Sequence, residues 1–361
     1  MFVKSLKLKN FRNYDLLDLE FDSETNIFYG DNAQGKTNIL ESVYLTGTTK
    51  SHRGTKDRDL IKFGEEEAHI ETLVEKQGVP FKIDIHLKKN SPKGIAINKI
   101  PIKRASELFG IINIVFFSPE DLNIIKNGPS ERRRFIDIEL AQLDKVYLND
   151  LSNYNRIVNQ RNKLLKDISE RKDLLETLDI WDMQLVQYGN RVIERRKIFI
   201  EQINEIIEKV HGKLTGGKEQ LKLVYESGTG IYDLETALFK NRERDIRMKS
   251  TSVGPHRDDI CFMSNEIDIR KFGSQGQQRT AALSLKLSEI ELVKKVIHDT
   301  PILLLDDVLS ELDKNRQNYL LDSIRDIQTL ITCTGLDDFV NHRFEINKIL
   351  HVEQGHVVKE N

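Results

Sequence analysis

Cysteine and long apolar runs are both scarce in this chain. Only two of its 361 residues are cysteine, and Cys261 and Cys333 stand far apart, in no spacing typical of a metal site. We therefore expect two buried, reduced thiols in a cytoplasmic protein, and no zinc site. No run of about 18 apolar residues occurs, so we expect no membrane-spanning helix and no membrane partner. Residues 1–14 also lack the apolar stretch of a signal peptide.

An excess of charge of one sign is missing as well. The formal net charge is −2, although 31% of the residues are charged. Proteins that coat nucleic acid over their whole surface are usually basic, so any DNA binding by this chain must use a local basic face or follow assembly. The hydrophobic share of 39% is enough for a core, and the length suits two or three compact units.

Apolar patterns predict strands at both ends of the chain. Residues 3–8 and 81–87 alternate with period two, as half-buried strands do. Residues 111–117 are nearly all apolar and rich in β-branched side chains, which predicts a strand buried on both faces. Shorter runs predict three further strands, at residues 25–29, 302–305 and 328–334.

A charged region with helical periodicity separates these two sets of strands. It begins after a break at residues 128–130, and two apolar stripes within it predict a pair or trio of antiparallel helices. The predicted fold is therefore α/β, with a head formed by residues 1–125 and 245–361 and a helical subdomain inserted at residues 126–244. The first stripe comprises Tyr147, Leu151, Tyr154, Val158, Leu165 and Ile168, and the second comprises Phe199, Ile203, Ile206, Ile207 and Val210.

The strongest motif is a glycine-rich loop that fits G-x-x-x-x-G-K-[ST]. It follows a predicted strand and precedes a segment with helical spacing. Glycines let the backbone wrap around phosphate oxygens, which the loop N–H groups and the positive end of the helix then bind. Lys36 is expected to reach the β- and γ-phosphates of ATP, and Thr37 to bind Mg²⁺. The loop consists of Gly30, Asp31, Asn32, Ala33, Gln34, Gly35, Lys36 and Thr37.

A second motif is the apolar run at residues 302–305, which ends in Asp306 and Asp307. This pattern is typical of a Walker B strand. Asp306 is expected to hold Mg²⁺, directly or through water, and Asp307 to orient or activate the attacking water. The predicted catalytic residues are thus Lys36 and Asp307. An acidic loop after a core strand is the alternative, which the P-loop disfavours.

A third motif, Ser274-Gln275-Gly276-Gln277-Gln278-Arg279, precedes a long helical pattern. A serine, a glycine and free amides at the start of a helix form a second anion site. Because the motif precedes the Walker B strand, as an ABC signature does, we expect Ser274, Gly276 and Gln277 to bind the γ-phosphate held by a second subunit. This interpretation predicts a homodimer with ATP between its subunits.

The segment after the Walker B strand allows two interpretations. Ser310-Glu311-Leu312-Asp313 is similar to the D-loop that crosses the dimer interface of ABC ATPases. Alternatively it is a plain helix cap, with Ser310 at the N-cap and Asp313 three residues later. Both interpretations can hold together.

In this order the motifs resemble those of ABC/SMC-like DNA-repair ATPases and, over nearly the whole chain, those of the RecF family. Residues 10–14, 117–122, 129–135 and 254–259 add to the resemblance. SMC proteins carry coiled coils of hundreds of residues between their two halves, for which this chain has no room. The resemblance implies an ABC-type P-loop ATPase head with a short antiparallel helical arm. It also makes Arg12 a candidate for contact with a nucleotide phosphate.

The same resemblance implies an ATP-dependent DNA-binding protein of recombinational repair and replication, active in the SOS response to DNA damage. In this interpretation ATP and Mg²⁺ close a homodimer on duplex DNA near gaps or single-strand/double-strand junctions. Slow, DNA-stimulated hydrolysis opens the dimer, and the protein assists RecA loading through RecO and RecR. Neither spacing nor composition points to these partners.

Two positions depart from the usual ABC pattern. Most ABC enzymes have glutamate where Asp307 stands, and the shorter side chain predicts slow hydrolysis. A nucleotide-occupancy switch with little turnover therefore stays open as an alternative. Residues 117–122 occupy the Q-loop region without a glutamine, so the residue that couples nucleotide to the arm is not identified.

Clusters of cationic side chains are the candidates for DNA contact, because such side chains bind phosphates without reading sequence. Solvated surface charge or helix ion pairs are the favoured alternative for each of them. His256 and Arg257 are expected to be structural or to lie at a lobe junction. A small-molecule kinase also uses a P-loop, but it has no use for the motif at residues 274–279. The DNA candidates are Lys50, His52, Arg53, Lys56, Arg58, Arg132, Arg133 and Arg134.

Overall fold

The structure, a computed structural model, describes residues 1–168, 171–336 and 346–359. The chain divides into two compact units: Met1–Asp121 with Lys286–Asn361 forms the first, and Leu122–Leu285 forms the second. No helix in the described part of the chain is long and apolar enough to cross a membrane. Both cysteines are buried and free, which confirms the expected reduced thiols.

Strands occur in both units. In chain order they are β1 (Phe2–Phe11), β2 (Tyr14–Glu20), β3 (Thr25–Tyr29), β4 (Glu67–Lys76), β5 (Val79–Lys88), β6 (Ser91–Ile97), β7 (Ile100–Pro101), β8 (Ile114–Phe117), β9 (Leu221–Glu226), β10 (Asp259–Ser264), β11 (Ile267–Asp268), β12 (Ile302–Asp306), β13 (Thr329–Cys333), β14 (Lys348–Glu353) and β15 (His356–Lys359).

Helices are concentrated between β8 and β12. In chain order they are α1 (Lys36–Thr48), α2 (Leu122–Lys126), α3 (Pro129–Leu143), α4 (Lys145–Asp167), α5 (Leu178–Leu214), α6 (Leu234–Met248), α7 (Ile269–Phe272), α8 (Gln275–Ile297) and α9 (Lys314–Ser323).

The first unit contains two six-stranded sheets. One has the order β15-β14-β3-β13-β12-β8, and all of its strands except β15 run parallel. The other has the order β2-β1-β4-β5-β6-β7 and is antiparallel. Since parallel strands end at the same edge of a sheet, β3 and β12 bring Gly30 and Asp306 to one edge.

Helix α1 is packed on nearly every side. It contacts β4 of the antiparallel sheet and β8, β12 and β13 of the parallel sheet. Ile39, Leu40, Val43 and Leu45 are completely buried. Burying a side chain of this size stabilises a fold by about 1.5–3 kcal/mol. The core therefore fixes this helix, and with it Lys36 and Thr37 in its first turn.

The second unit is built on the long helices α4 and α5, which lie antiparallel. Arg161 near the end of α4 binds Asp182 near the start of α5 at 2.6 Å, while Arg195 in α5 lies 3.5 Å from Asp144, the N-cap of α4. The two predicted apolar stripes fall on these helices, apart from Ile168 at the C-cap of α4. The predicted α/β fold with an antiparallel helical pair is confirmed.

Residues 245–285, which the sequence prediction assigned to the head, belong to the second unit. The reason is a three-stranded sheet with the order β11-β10-β9. Its register joins Asp259 in β10 to Glu226 in β9, so strands on both sides of position 245 share one sheet. No periodic pattern in the sequence indicated this pairing.

Each of the six predicted strands corresponds to a strand of the first unit, with small differences in its bounds. At residues 111–117 the strand is shorter than predicted, since β8 begins only at Ile114. The preceding segment turns instead, since the Ile111 N–H donates to the Leu108 carbonyl at 3.2 Å. As predicted, all four residues of β8 are buried.

Candidate nucleotide-binding site

The P-loop connects β3 to α1 and depends on its two glycines. Gly30 and Gly35 have φ angles of 145° and 114°, a region that side chains rarely adopt. A Cβ on Gly30 would lie 2.3 Å from the Val352 carbonyl oxygen, and one on Gly35 would lie 2.5 Å from Asn13 Nδ2. Only glycine fits at both positions, which leaves the loop backbone free to curve around an anion.

Lys36 begins α1 and turns back over the loop. Its Nζ donates to the carbonyl oxygens of Gly30 and Asp31, at 2.5 and 2.7 Å. Burial lowers the pKa of Lys36, while the nearby Asp307 carboxylate opposes this effect most strongly. The ammonium group is thus held at the loop, where a phosphate would meet it.

Thr37 and Asp306 meet across the end of the parallel sheet. Thr37 Oγ1 donates to Asp306 Oδ1 at 2.7 Å, and Thr332 Oγ1 donates to the same oxygen at 2.8 Å. Burial raises the pKa of Asp306, and these two hydrogen bonds partly oppose the rise. Thr332 was not predicted as a site residue, although its place on the strand beside the Walker B strand could have suggested it.

This oxygen pair is suited to Mg²⁺. Magnesium prefers hard oxygen ligands and is usually held by one or two protein groups together with water and substrate phosphates. Thr37 and Asp306 supply one hydroxyl and one carboxylate beside the P-loop. Within the described residues no group of three or more histidine, cysteine or acidic side chains could hold a metal by itself. The residues therefore fit a metal that is shared with a nucleotide.

Asp307 follows β12 in a left-handed backbone conformation, with φ at 51°. Its N–H donates to Thr332, to the carbonyl oxygen at 3.2 Å and to Oγ1 at 3.1 Å. Aspartate and asparagine adopt this conformation more readily than other side chains with a Cβ. The backbone thus favours aspartate at the position where most ABC enzymes have glutamate.

A cleft of about 510 Å³ opens over these groups. Residues 32–38 of the P-loop and α1 line it together with Asp306, Asp307 and Thr332. Ser118, Pro119 and Glu120 also line it, so the segment in which no Q-loop glutamine could be found does reach the nucleotide cleft. The polar side chains that this segment contributes to the cleft are those of Ser118 and Glu120.

His52 and Arg53 lie in this cleft, although the sequence analysis grouped them with DNA-contact candidates. The His52 ring stacks on Phe116 at a centroid distance of 4.2 Å. Arg53 Nη1 lies 3.5 Å from Asn38 Oδ1 and 3.9 Å from Glu41 Oε2. Its charge also favours the ionised form of Asp306 and so partly opposes the rise in the pKa of that carboxyl. Arg53 is therefore a candidate ligand for a nucleotide phosphate, a role that the sequence analysis did not give it.

Arg12 is engaged by the completely buried Glu41. Its Nε and Nη2 donate to the two carboxylate oxygens at 2.8 and 2.9 Å. Burial raises the pKa of Glu41, but hydrogen bonds from Arg12 and Ser51 outweigh it and leave this pKa lowered. Arg12 is not among the residues that line the cleft. The structure thus pairs Arg12 with Glu41, and its contact with a nucleotide phosphate stays a prediction.

The signature motif lies in the second unit, where Ser274 and Gln277 form a capping box at the start of α8. The Gln277 N–H donates to Ser274 Oγ at 3.2 Å, and the Ser274 N–H donates to Gln277 Oε1 at 3.0 Å. Gln277 Nε2 then donates to Glu219 Oε1 at 3.2 Å. Glu219 also contacts the buried His211, whose Nε2 lies 3.5 Å from Glu219 Oε2 and whose Nδ1 lies 2.8 Å from Ser284 Oγ.

In the predicted D-loop segment, residues 310–313, the helix cap is not the residue that the sequence predicted. Asp313, not Ser310, is the N-cap of α9, and it accepts from the N–H groups of Asn315 and Arg316 at 3.1 Å. Ser310 Oγ donates instead to the Asp307 carbonyl oxygen at 2.8 Å. Ser310 thus stabilises the turn after the Walker B strand by a side-chain hydrogen bond to its backbone.

The arginines at 132 and 133 are structural in the second unit. Arg132 is buried and binds both carboxylate oxygens of Asp259, at 2.5 and 3.0 Å. Arg133 donates to the Asp258 carbonyl oxygen at 2.7 Å. His256 hydrogen-bonds Tyr154 at 2.7 Å, in agreement with its expected structural role.

A P-loop, a Walker B strand and their shared cleft on this α/β fold define the nucleotide-binding head of an ABC/SMC-type ATPase. The sequence model of the RecF/RecN/SMC N terminal domain matches residues 2–357. A protein of Agathobacter rectalis named "DNA replication and repair protein RecF" is 64% identical over 99% of both chains. One of the same name from Lachnospira eligens is 64% identical over the full length of both. The chain belongs to the RecF family of DNA replication and repair proteins.

Solved structures agree with this assignment. Structures described as the recombination mediator protein RecF-ATPrS and RecF-ATP in the RecFOR pathway are 38% and 37% identical to this chain. Their TM-scores are 0.91 and 0.92, over 100% of this chain and 98% of theirs. An Smc head domain from Pyrococcus furiosus, 17% identical with a TM-score of 0.57, covers 100% of this chain and 96% of its own and shares the fold.

Proposed function

We propose that the protein is an ATP-driven clamp: ATP joins two copies of the chain on duplex DNA, and slow hydrolysis separates them. The observation that carries this proposal is the convergence of Lys36, Thr37, Asp306 and Asp307 on one cleft. The RecF-ATP structures support nucleotide binding at this cleft, because they match the whole chain.

The residues of the cleft divide the chemistry among them. P-loop N–H groups and the N-terminus of α1 bind phosphate oxygens, and Lys36 adds its positive charge. Mg²⁺, held by Thr37 and Asp306, would neutralise charge on the phosphates as they separate. Asp307 accepts a proton from, or orients, the attacking water. Arg53, at the edge of the cleft, places a cation close to the phosphates.

The signature completes the site from a second copy. Ser274, Gly276 and Gln277 lie at the N-terminus of α8, where backbone N–H groups and the helix dipole favour an anion. Binding of the γ-phosphate by this group makes dimerisation depend on ATP and reverse on hydrolysis. Ser310 and Asp313 belong to the segment that would face the partner copy.

The clamp acts in the cytoplasm on DNA that contains gaps or single-strand/double-strand junctions. The related structures are described as recombination mediators in the RecFOR pathway, which supports RecO and RecR as partners in loading RecA. Three exposed cationic residues stay candidates for contact with DNA phosphates: Lys50, Lys56 and Arg58.

Dimerisation and DNA binding must be measured together to test this proposal. Light scattering and fluorescence anisotropy with gapped duplex DNA would be recorded without nucleotide and with ADP, ATP or a non-hydrolysable ATP analogue. We expect dimers and tight DNA binding with ATP and the analogue only. A protein that stays monomeric and ignores DNA in every state would contradict the clamp.

A nucleotide-occupancy switch is the second candidate, and Asp307 is the observation that favours it. An aspartate at this position is shorter than glutamate, and its backbone is held in the left-handed region. If turnover is incidental, a variant that cannot hydrolyse ATP will still support repair in cells. If hydrolysis is needed for release, the same variant will remain on DNA and block repair.

A further inference from the structure

The C-terminal hairpin β14–β15 runs beside the strand that leads into the P-loop. Strand β14 pairs in parallel with β3, in a register that joins His351 to Tyr29, the last residue before the loop. The ring of His351 stacks on that of Tyr29 at a centroid distance of 4.8 Å. The hairpin turn at Gln354 and Gly355 is therefore brought to the loop itself.

Three hydrogen bonds fix one residue of the loop, Gln34. Its carbonyl oxygen accepts from the Gly355 N–H at 3.1 Å and from Asn13 Nδ2 at 2.9 Å. Its side-chain Oε1 accepts from the Gln354 N–H at 2.6 Å. Both oxygens of Gln34 are thus bound, one of them by the hairpin alone. Gln34 immediately precedes Gly35 and Lys36.

No side chain can be added at two further places, one where the hairpin meets the loop and one where it meets Asn13, which itself binds Gln34. A Cβ on Gly30 would lie 2.3 Å from the Val352 carbonyl oxygen, in β14. A Cβ on Gly355 would lie 2.8 Å from the Asn13 carbonyl oxygen. Gly355 also has a φ of 75°, so its conformation and its surroundings both require glycine.

We infer that the C-terminal hairpin is part of the nucleotide site, with Gln354 and Gly355 as positioning residues that hold Gln34 and so keep the P-loop in its phosphate-binding shape. Phosphate affinity depends on N–H groups that already point inward before the ligand arrives. A loop released from the hairpin would have to be ordered at the moment of binding, which weakens affinity. The inference rests on ATP binding at this P-loop, within the proposed function, and is independent of dimerisation and DNA.

Gly355→Ala is the test variant, and Gly78→Ala is its matched control. Gly78 lies in the turn between β4 and β5 with a φ of 77°, and a Cβ there would meet nothing within 4 Å. Both variants place alanine in the same left-handed conformation, so both carry a similar backbone strain. Only the first one also drives a Cβ into the backbone of Asn13, whose side chain holds the Gln34 carbonyl oxygen together with the hairpin.

Nucleotide affinity of the full-length variants would be measured by calorimetry with Mg-ATP and with ADP. We expect Gly355→Ala to weaken ATP binding about fivefold or more, and Gly78→Ala to stay within about twofold of the parent. Half-saturation of ATPase activity should move to higher ATP in Gly355→Ala, with an unchanged plateau rate. Equal ATP affinity in the two variants would overturn the inference.

A second variant keeps the inference testable if Gly355→Ala does not fold. Gln34→Ala removes the acceptor of the Gln354 N–H and leaves every glycine in place. We expect about threefold weaker ATP binding from the loss of this one bond, whereas parental affinity would contradict the role of the turn. A parent protein that binds no ATP would instead refute the proposed function, so the two failures can be told apart.

Discussion

Asp307 combines a proposed catalytic role with an unusual backbone conformation. Because its φ of 51° suits aspartate and asparagine alike, Asp307→Asn should fold as the parent does and remove only the carboxylate. We expect ATP turnover to fall about 100-fold or more, since a general base typically contributes a factor of about 10² to 10⁴. ATP-driven dimers should persist, since phosphate binding does not use this side chain. Steady-state ATPase assays and light scattering would measure both.

Asp307→Glu is the informative companion variant. This variant has the longer side chain found in most ABC enzymes. It also places glutamate in a left-handed backbone conformation, which is unfavourable for glutamate. Faster ATP turnover with reduced thermal stability would show that the left-handed backbone favours aspartate for stability, although glutamate gives the higher rate of hydrolysis. Unchanged turnover in Asp307→Asn would remove Asp307 from the mechanism altogether.

His256 predicts a pH dependence of stability in the second unit. Burial lowers its pKa, and the charges of Arg257 and Arg133 act in the same direction, while the Thr251 carbonyl and Asp258 oppose them. The unfolded chain therefore takes up a proton at a higher pH than the folded one. Stability from this group is full above the unfolded pKa, near 6.5, and is lost as the pH falls below it.

Replacing His256 removes this titration. We expect the melting temperature of His256→Gln to fall less than that of the parent between about pH 7.5 and 5.5. His69→Gln is the control, because His69 is 44% exposed beside Asp84. If both variants follow the parent profile, other groups control the acid sensitivity.

At the scale of elements, the start of α8 depends on a contact that lies outside its own sequence. Gln277 uses Oε1 to cap the helix and Nε2 to bind Glu219, which follows α5. Glu219→Ala should free the Gln277 side chain and weaken ATP-driven dimerisation about fivefold, the effect of one hydrogen bond of about 1 kcal/mol. ATP affinity of the monomer should not change, because the P-loop lies in the other unit.

Glu208→Ala is a suitable control for this variant, since Glu208 is an exposed residue of α5. Analytical ultracentrifugation with ATP would give the dimer affinities. Parental dimerisation in Glu219→Ala would mean that the capping box alone orients the signature.

Sequence patterns predicted those elements whose signals are local. Glycines, a lysine and an apolar strand ending in acids gave the P-loop and β12, and period-two alternation gave β1 and β5. Strand β9 pairs with β10 across more than thirty residues, including helix α6, so no local signal assigned residues 245–285 to the second unit. The contacts of Arg53 and Arg12 with Glu41 were missed for a similar reason, because Glu41 is a helical residue whose burial the charge pattern did not show.

Over the whole molecule, the near-neutral charge of −2 sets a condition on how the proposed clamp would bind DNA. A monomer of this charge has little general attraction to phosphate, so the proposed clamp would bind DNA with basic side chains of two copies acting together. Affinity for DNA should then follow dimer formation and fall steeply with salt. ATP would then raise the affinity for DNA by joining two copies of the chain, and not by a conformational change within one subunit alone.

Lys36→Met tests this coupling over the full chain. The substitution removes the cation that the P-loop holds at 2.5 Å from the Gly30 carbonyl, and the loss of a charge-assisted contact should weaken ATP binding about tenfold or more. Dimerisation and DNA affinity should then fall together at every ATP concentration, and very high ATP should restore both. In the proposed clamp both depend on the same occupied cleft, so plots of DNA binding against dimer fraction should coincide for parent and variant. DNA binding that survives without dimers would show that one copy suffices, and would place the DNA contacts within a single subunit.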